Sequence, residues 1–202
     1  DDIPGRPKPL LELGDPFLQT GEIGEGIEIF TGAVWRPQLL VFGTVRSALQ
    51  HFDPGPGMRD EWVNRADVFA NLQLSPTERV IVGSRMLDKQ GRFSGYRLNP
   101  DASQGIIDSV NANISTLYFE GDFGQIFPRL DPGDKYRLDY GIVVGRQPLL
   151  IQDGMLINDN SLDAIAIVRN NLFTGGTTQA RLTALSSWNR INRPLPGTGL
   201  DE

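Results

Sequence analysis

The stretch Trp62–Leu74 reads WVNRADVFANLQL, and apolar side chains recur at alternate positions along it. One parity is apolar and holds Trp62, Ala66, Val68, Ala70, Leu72 and Leu74, whereas the other carries Arg65, Asp67, Asn71 and Gln73. A period of two is typical of a β-strand with one apolar face. This stretch predicts the most regular strand of the chain and indicates an all-β protein.

Alternation of the same kind predicts six more strands. In chain order the seven predicted strands span 38–52, 62–74, 78–87, 114–127, 138–147, 162–170 and 178–188. Ser75 and Pro76 suit the first two positions of a type I turn, so the second and third strands are expected to form a hairpin. The polar segment 88–113 is predicted to be a long loop.

The predicted connections differ in length according to the side of the sheet. Residues 53–60, 88–113 and 148–160 are interpreted as the long connections of one side, whereas 75–78 and 171–176 are short and 128–136 is of medium length on the other side. Outer-membrane barrels have short periplasmic turns and longer external loops. The chain therefore predicts an antiparallel up-and-down meander of a transmembrane β-barrel, with about seven to eight strands.

Large aromatic residues fall at or near the ends of the predicted strands. They are Trp35, Phe52, Trp62, Tyr136, Tyr140 and Trp188. Such positions are typical of the aromatic girdles at membrane interfaces. The alternative is that these rings fill the core of a soluble sandwich.

The chain divides into two parts by composition. Residues 1–34 begin with a stretch rich in Pro, Gly and acidic residues and predict an extended periplasmic segment, and residues 35–202 hold the barrel strands. Seven strands is an odd number, and the sequence ends on Asp201-Glu202, so we expect an incomplete barrel whose C-terminal half is missing. The first residues lack the features of a signal peptide, which predicts the mature form of an outer-membrane protein.

Composition excludes several classes of protein. The 202 residues carry a formal net charge of −6 and no basic run, which argues against a nucleic-acid-binding protein. The absence of Cys excludes thiolate metal sites and disulfides. Apolar runs are only a few residues long, so a membrane role requires strands rather than helices.

Three segments resemble porin-like outer-membrane barrels of the alginate-export and substrate-selective type. They are Val144-Gly145-Arg146-Gln147 at a strand end, the run 153–159 that reads DGMLIND, and the strand-turn-strand from Trp62 to Leu87. The resemblance extends from about Trp35 to Trp188. It implies a Gly-Arg-Gln strand end followed by a loop that folds inward.

Charged side chains on the polar strand faces are the candidate site. They are Arg46, Arg65, Asp67, Arg85, Glu120, Asp122, Asp139, Asp163, Arg169 and Arg181. In a barrel these side chains would line the lumen, and early arginines facing later acids would set a transverse field that selects solutes. Pairing across the 53–60 loop is expected to bring Arg46 opposite Asp67. The alternative is that they form cross-strand ion pairs that only stabilise the sheet.

Enzymatic readings of the sequence are weaker. Glu120 and Asp122 are spaced like paired carboxylates, but alternate acids on a lumen face need no catalytic role. His51 lies too far from Ser47 along a strand to act as its base. Oxygen-bearing side chains between Asp153 and Asp163 lack the spacing of an EF-hand, so the sequence does not decide whether this segment binds calcium. We predict a protein that is not an enzyme and has no metal and no cofactor.

The function expected from the sequence is passive passage of small polar or anionic solutes through an outer-membrane barrel. Its partners would be outer-membrane lipid, those solutes and the missing half of the barrel. One alternative is a structural protein of the cell envelope that is completed by other envelope proteins. Another is a soluble β-sandwich that binds carbohydrate.

Overall fold

The computed structural model describes residues 9–14, 24–53, 55, 58–89, 92–98, 105–151, 157–170, 172, 176 and 180–189. The strands are β1 (Leu11–Leu13), β2 (Ile27–Glu28), β3 (Val34–Trp35), β4 (Gln38–Phe52), β5 (Arg59–Gln73), β6 (Arg79–Arg85), β7 (Asp88–Lys89), β8 (Arg92–Arg97), β9 (Gly105–Ile107), β10 (Ile114–Asp122), β11 (Tyr140–Ile151), β12 (Ile157–Arg169) and β13 (Leu182–Ser187). A short helix, α1 (Phe123–Ile126), and a 3-10 turn (Pro128–Leu130) follow β10. No helix among the described residues has the length and apolar character needed to cross a membrane.

One antiparallel sheet contains eleven of these strands. Its main path runs β1-β4-β5-β6-β10-β11-β12-β13, with β8 beside β5 and β9 beside β8. The strands β2 and β3 form a separate two-stranded sheet. The all-β antiparallel class is therefore confirmed. Among the described residues the sheet is open, with β1 at one edge and β13 at the other.

All seven strands predicted from alternation are present. They correspond to β4, β5, β6, β10, β11, β12 and β13, and the bounds of β4 are those predicted. The predicted turn at 75–78 is also confirmed. Its geometry is set by Ser75, whose Oγ accepts hydrogen bonds from the backbone N–H groups of Thr77 at 3.2 Å and Glu78 at 3.0 Å. Within residues 1–34, the described part contains β1, β2 and the first residue of β3.

The prediction of a long loop over 88–113 is wrong, because three short strands lie within it. β7 and β8 form an inserted hairpin. β6 pairs with the second part of β5 and β8 with its first part, so β6 and β8 lie one after the other along the same edge of β5. β9 then pairs with β8. These strands have two to six residues, too few in a polar stretch to reveal a period. Because β5 is fifteen residues long, it extends beyond its pairing with β6, and its first part is left to pair with β8.

The predicted loop at 148–160 is wrong in extent, because β11 continues to Ile151 and β12 already begins at Ile157. The pairing of these strands shifts register between Gln147 and Leu149. Pro148 lies at this shift, and proline has no N–H to donate to a ladder, which favours a bulge there. The remaining connection, 152–156, lies outside the described residues, as does Asp153 of the open calcium question.

The predicted strand 114–127 is too long by its last five residues. The chain turns into α1 after Asp122, whose Oδ1 accepts a hydrogen bond from the backbone N–H of Gln125 at 3.1 Å. An aspartate in this position is a favourable helix N-cap. The apolar–polar alternation continues through Phe123, but the helix cap at Asp122 ends the strand there.

Two faces can be traced across the sheet, because directly opposed residues of antiparallel strands project to the same side. One rung runs through Leu39, Leu72, Val80, Phe119, Val144 and Ile165. We call this side the apolar face; it also carries Leu11, Val45, Leu49, Trp62, Tyr96, Ile106, Leu117, Tyr140, Ile142, Ile167 and Leu182. The opposite side, the charged face, carries Arg46, Arg65, Asp67, Arg79, Arg85 and Glu120.

The apolar face is the more exposed of the two. On β12 the charged-face residues Leu162 and Ala164 are both 0% exposed, whereas Ile165 on the apolar face is 37% exposed. On β4 the apolar-face residues Val45 and Leu49 are 78% and 77% exposed. A large exposed apolar surface of this kind is unusual for a soluble monomer.

Candidate functional site on the charged face

The register separates the predicted lining residues into three groups. Those on the charged face are Arg46, Arg65, Asp67, Arg85, Glu120 and Asp122. Asp139 and Arg181 are exposed and directly precede β11 and β13.

Asp163 and Arg169 lie on the apolar face, so their prediction as members of one lining surface is corrected. Both differ from Ile165 and Ile167 by even numbers of residues, and a period of two places them on the same side. Asp163 forms a two-pronged ion pair with Arg146 opposite it, at 2.8 Å from Nε and 3.0 Å from Nη2. The Arg169 guanidinium lies 4.5 Å from the ring centroid of Tyr140.

The expected pairing of Arg46 with Asp67 is also wrong. The β4–β5 hairpin pairs Phe52 with Arg59, and this register places Arg46 opposite Arg65 and Thr44 opposite Asp67. The predicted loop 53–60 would pair Phe52 with Glu61, whereas the observed pairing of Phe52 with Arg59 shortens the loop and shifts every partner by two residues. Two arginines therefore face each other across these strands.

Asp67 is the acidic centre of this arginine group. It is 5% exposed and receives a two-pronged interaction from Arg65, with Nε to Oδ2 at 2.8 Å and Nη2 to Oδ1 at 3.1 Å. Arg85 on β6 lies opposite Asp67 and Arg46 lies opposite Arg65, so three arginines and one carboxylate occupy two neighbouring rungs. This part of the charged face is therefore positive although the whole chain is negative.

Replacing Asp67 by asparagine is expected to lower the free energy of unfolding by about 1.5–3 kcal/mol, since it weakens buried hydrogen bonds to a charged group. Chemical denaturation of the purified chain measures this change. The matched control is Glu28→Gln, whose ion pair with Arg129 at 2.6 Å is exposed on both sides. An exposed pair contributes only about 0–1 kcal/mol. Equal losses in the two variants would contradict a special role for Asp67.

The remaining acids of the charged face are engaged in ion pairs or caps. Glu120 pairs with Arg79 opposite it at 2.7 Å. Glu61, which sequence reasoning did not single out, accepts from Arg97 at 3.2 Å and from Gln50 at 3.0 Å. Because Glu120 is paired with Arg79 and Asp122 caps α1, the two acids do not form a free carboxylate pair.

Aromatic side chains on the charged face were also missed from the sequence. Phe42 and Phe69 are directly opposed and stack with ring centroids 5.7 Å apart and an angle of 24° between the rings. Phe93, from the inserted hairpin, lies 5.9 Å from the Arg65 guanidinium. Phe42 and Phe69 each lie among alternate positions that are otherwise mainly polar, so alternation alone does not group them. Only the register between β4 and β5 shows that the two rings are opposed.

His51 lies on the apolar face at the end of β4 that leads into the β4–β5 connection. Its Nδ1 is 2.5 Å from Oδ1 of Asp60, the residue directly opposite it. Ser47 on the same face accepts a hydrogen bond from the Trp62 indole at 2.7 Å. Within the described ranges, no group of three or more His, Asp or Glu side chains is placed to hold a metal ion.

Comparisons with models of protein families, with curated proteins and with solved structures give no significant match for this chain.

Proposed function

We propose that this chain forms part of the wall of an outer-membrane β-barrel that lets small polar or anionic solutes pass. The observation that carries the proposal is the distribution of its side chains. On β4, β5, β6 and β10 the apolar face carries exposed apolar side chains, and the arginines and most acids of these strands lie on the opposite face. Transmembrane barrels have this arrangement, with an apolar band facing lipid and a polar interior. On β11 and β12 Arg146, Asp163 and Arg169 lie on the apolar face instead.

The slope of the apolar band supports the same proposal. On β4 the band runs from Leu39 to Leu49, whereas on β11 it runs from Tyr140 to Val144, which shares a rung with Leu39. Its centre moves by about seven residues over four strand steps, which at ~3.3 Å per residue and ~4.8 Å per strand corresponds to a tilt of roughly 50°. Strands of transmembrane barrels tilt by about 35–45°. A band of constant height across tilted strands would have this slope.

The charged face supports passage of anions in particular. Arg46 is exposed and Arg85 is half-buried, and neither forms an ion pair with another described residue. Fixed positive charges on the wall of a pore raise the local concentration of anions and lower that of cations. The inserted hairpin places Phe93 within 5.9 Å of the Arg65 guanidinium, on the same face as Arg46 and Arg85.

A second function, that of a structural component in an envelope assembly, is favoured by the open sheet. Among the described residues β13 pairs only with β12, and its segment Leu182–Ser187 carries neither charge nor proline. Unprotected edges of this kind are templates for pairing with another strand. On this alternative the strand that pairs there belongs to another envelope protein, and no solute passes.

Partition of the purified chain tests the membrane proposal. We expect it to require detergent for solubility and to insert into phospholipid vesicles, because the apolar face would otherwise contact water. A chain that stays monomeric in buffer without detergent would favour the soluble sandwich instead.

Ion selectivity in planar bilayers separates passage from a purely structural role. For the chain assembled into a closed barrel, we expect conductance steps that favour chloride over potassium, and a shift of the reversal potential toward cations when Arg46 and Arg85 are both replaced by glutamine. The control is Arg169→Gln, since Arg169 lies on the apolar face and should not affect the passing ion. An absence of steps from the vesicle-inserted chain would leave the structural role.

A further inference from the structure

An open pocket lies where the end of β1, the start of β2 and the link from β3 to β4 meet. It has a volume of about 210 Å³, and its lining includes Ile27, Trp35, Arg36 and Pro37. The backbone N–H of Arg36 donates to the carbonyl oxygen of Leu74 at 2.7 Å, which fixes this link against the end of β5. None of the lining residues belongs to the arginine group of the charged face.

Glycines let the backbone segments around this pocket approach one another closely. Gly14, Gly24 and Gly26 all belong to its lining. A Cβ at Gly14 would lie 2.7 Å from the carbonyl oxygen of Pro37, and a Cβ at Gly26 would lie 2.8 Å from that of Trp35. Gly14 and Gly26 have φ angles of 95° and 78°, which side chains of L-residues rarely adopt. The shape of the pocket therefore depends on these glycines, which also let a ligand approach the backbone.

Arg36 brings a positive charge to the pocket that no described carboxylate neutralises. Its Nε donates to the carbonyl oxygen of Gly24 at 2.5 Å, and its Nη2 donates to that of Glu25 at 3.3 Å. These two bonds orient the guanidinium, but both acceptors are neutral, and Arg36 forms no ion pair with another described residue. A guanidinium has more N–H groups than these bonds use, so the remaining ones can bind an anion.

Trp35 contributes a second donor that lacks a partner. Its indole Nε1 is buried and forms no hydrogen bond with any described residue. A buried N–H without an acceptor is unfavourable, because it has lost its hydrogen bond to water and gained none in exchange. An oxygen atom of a ligand in the pocket would supply the missing acceptor. Ile27, which is 63% exposed, adds apolar surface to the same lining.

These donors suit a phosphate group better than a carboxylate. The fork of a guanidinium can bind both oxygens of a carboxylate by itself, which would leave the indole N–H without an acceptor. A phosphate group presents a further oxygen outside the plane of the fork, and this oxygen can accept from a donor on another residue. A ligand with one phosphate group and a small apolar part therefore matches the pocket.

We propose that this pocket binds a phosphate group, with the Arg36 guanidinium on two of its oxygens and the Trp35 indole N–H on a third. The phosphate group belongs to the free anion or to a lipid headgroup, since both present the same oxygens. The inference goes beyond the proposed function and does not depend on it, because the pocket lies outside the charged face and needs no barrel.

Titration calorimetry of the purified chain in an alkyl maltoside, a detergent without phosphate, tests the site with inorganic phosphate and acetate. We expect phosphate to bind about tenfold more tightly than acetate, because only phosphate engages both donors and one hydrogen bond to a charged group contributes a factor of this size. A wild-type chain that does not bind phosphate, or that binds the two anions equally, would overturn the proposal without any variant.

Two variants then assign the donors. Trp35→Phe removes the indole N–H but keeps an aromatic ring, and we expect it to bring phosphate down to the affinity of acetate. Arg36→Gln is expected to weaken the binding of both anions.

Each variant has a matched control. Trp188→Phe makes the same change at an exposed indole, and Arg169→Gln removes another arginine that donates to a backbone carbonyl, that of Arg137. Both controls should leave the affinity for phosphate unchanged. Unaltered phosphate binding by Trp35→Phe, with a retained β-sheet spectrum, would reject the site.

A short-chain lipid separates the two sources of the phosphate group. Dihexanoyl phosphatidic acid is titrated beside inorganic phosphate into the wild-type chain and into Trp35→Phe. Tighter binding of the lipid, lost in Trp35→Phe, would assign the pocket to a headgroup, whereas tighter binding of inorganic phosphate would assign it to the free anion. Both results keep the site, and phosphate binding by a chain that does not insert into vesicles would keep it while rejecting the membrane proposal.

Discussion

Replacement of Val45 by arginine is expected to destabilise the vesicle-inserted chain by about 2–4 kcal/mol. Val45 lies near the middle of the apolar band on β4 and is 78% exposed. If this surface contacts lipid, a guanidinium there must be placed in hydrocarbon or drag water and headgroups inward. If it contacts water, a charge at so exposed a position changes stability by only about 0.5 kcal/mol or less. Denaturant unfolding from phospholipid vesicles measures the difference.

The neighbouring residue supplies the control for this prediction. Thr44 is also exposed on β4 but projects to the charged face, opposite Asp67. Thr44→Arg adds the same side chain to the same strand and is expected to change stability by less than about 1 kcal/mol, since position 44 is exposed on the charged face and its guanidinium does not enter lipid. Similar losses in the two variants would mean that the two faces do not differ in environment, and the membrane proposal would fail.

The second large effect is expected from Gly145→Ala, with a loss of about 2–5 kcal/mol from backbone strain and steric overlap together. Gly145 has a φ of 127°, which side chains of L-residues rarely adopt. A Cβ would also lie 2.9 Å from Cα of Tyr118 and still closer to the carbonyl oxygen of Leu117 on β10. The substitution should therefore push β11 away from β10, and thermal or denaturant unfolding reports the loss.

Gly141→Ala is the matched control for this second prediction. Gly141 lies on the same strand and the same face, but the nearest atoms to its added Cβ are Cβ and O of Val168, at 3.7 and 3.8 Å. These are ordinary van der Waals distances, so the change should stay within about 1 kcal/mol of zero. A similarly large loss in Gly141→Ala would show that any side chain on this strand disturbs the sheet and that Gly145 has no special role.

The candidate site was predictable in its residue types but not in its arrangement. The alternation around Arg65 and Asp67 placed both on one polar face, and the register bears this out. It could not place Arg46, whose partner depends on the residue at which β5 begins. Nor could it show that Phe42 is opposed to Phe69 and Phe69 to Gly83, because contacts between three strands depend on two separate registers. A resemblance based on Gly-Arg-Gln predicted an inward loop after Gln147, where the strands instead continue.

By itself the sequence determined the seven long strands, their antiparallel order and the two faces of each strand. Side-chain direction in a strand alternates with a period of two whatever the strand pairs with, so these properties can be read locally. Only the tertiary structure decided the partners of each charge, the three short strands between β6 and β10, and the slope of the apolar band. These depend on hydrogen bonds between segments distant in the chain, and a shift of register by two residues preserves every face while exchanging every partner.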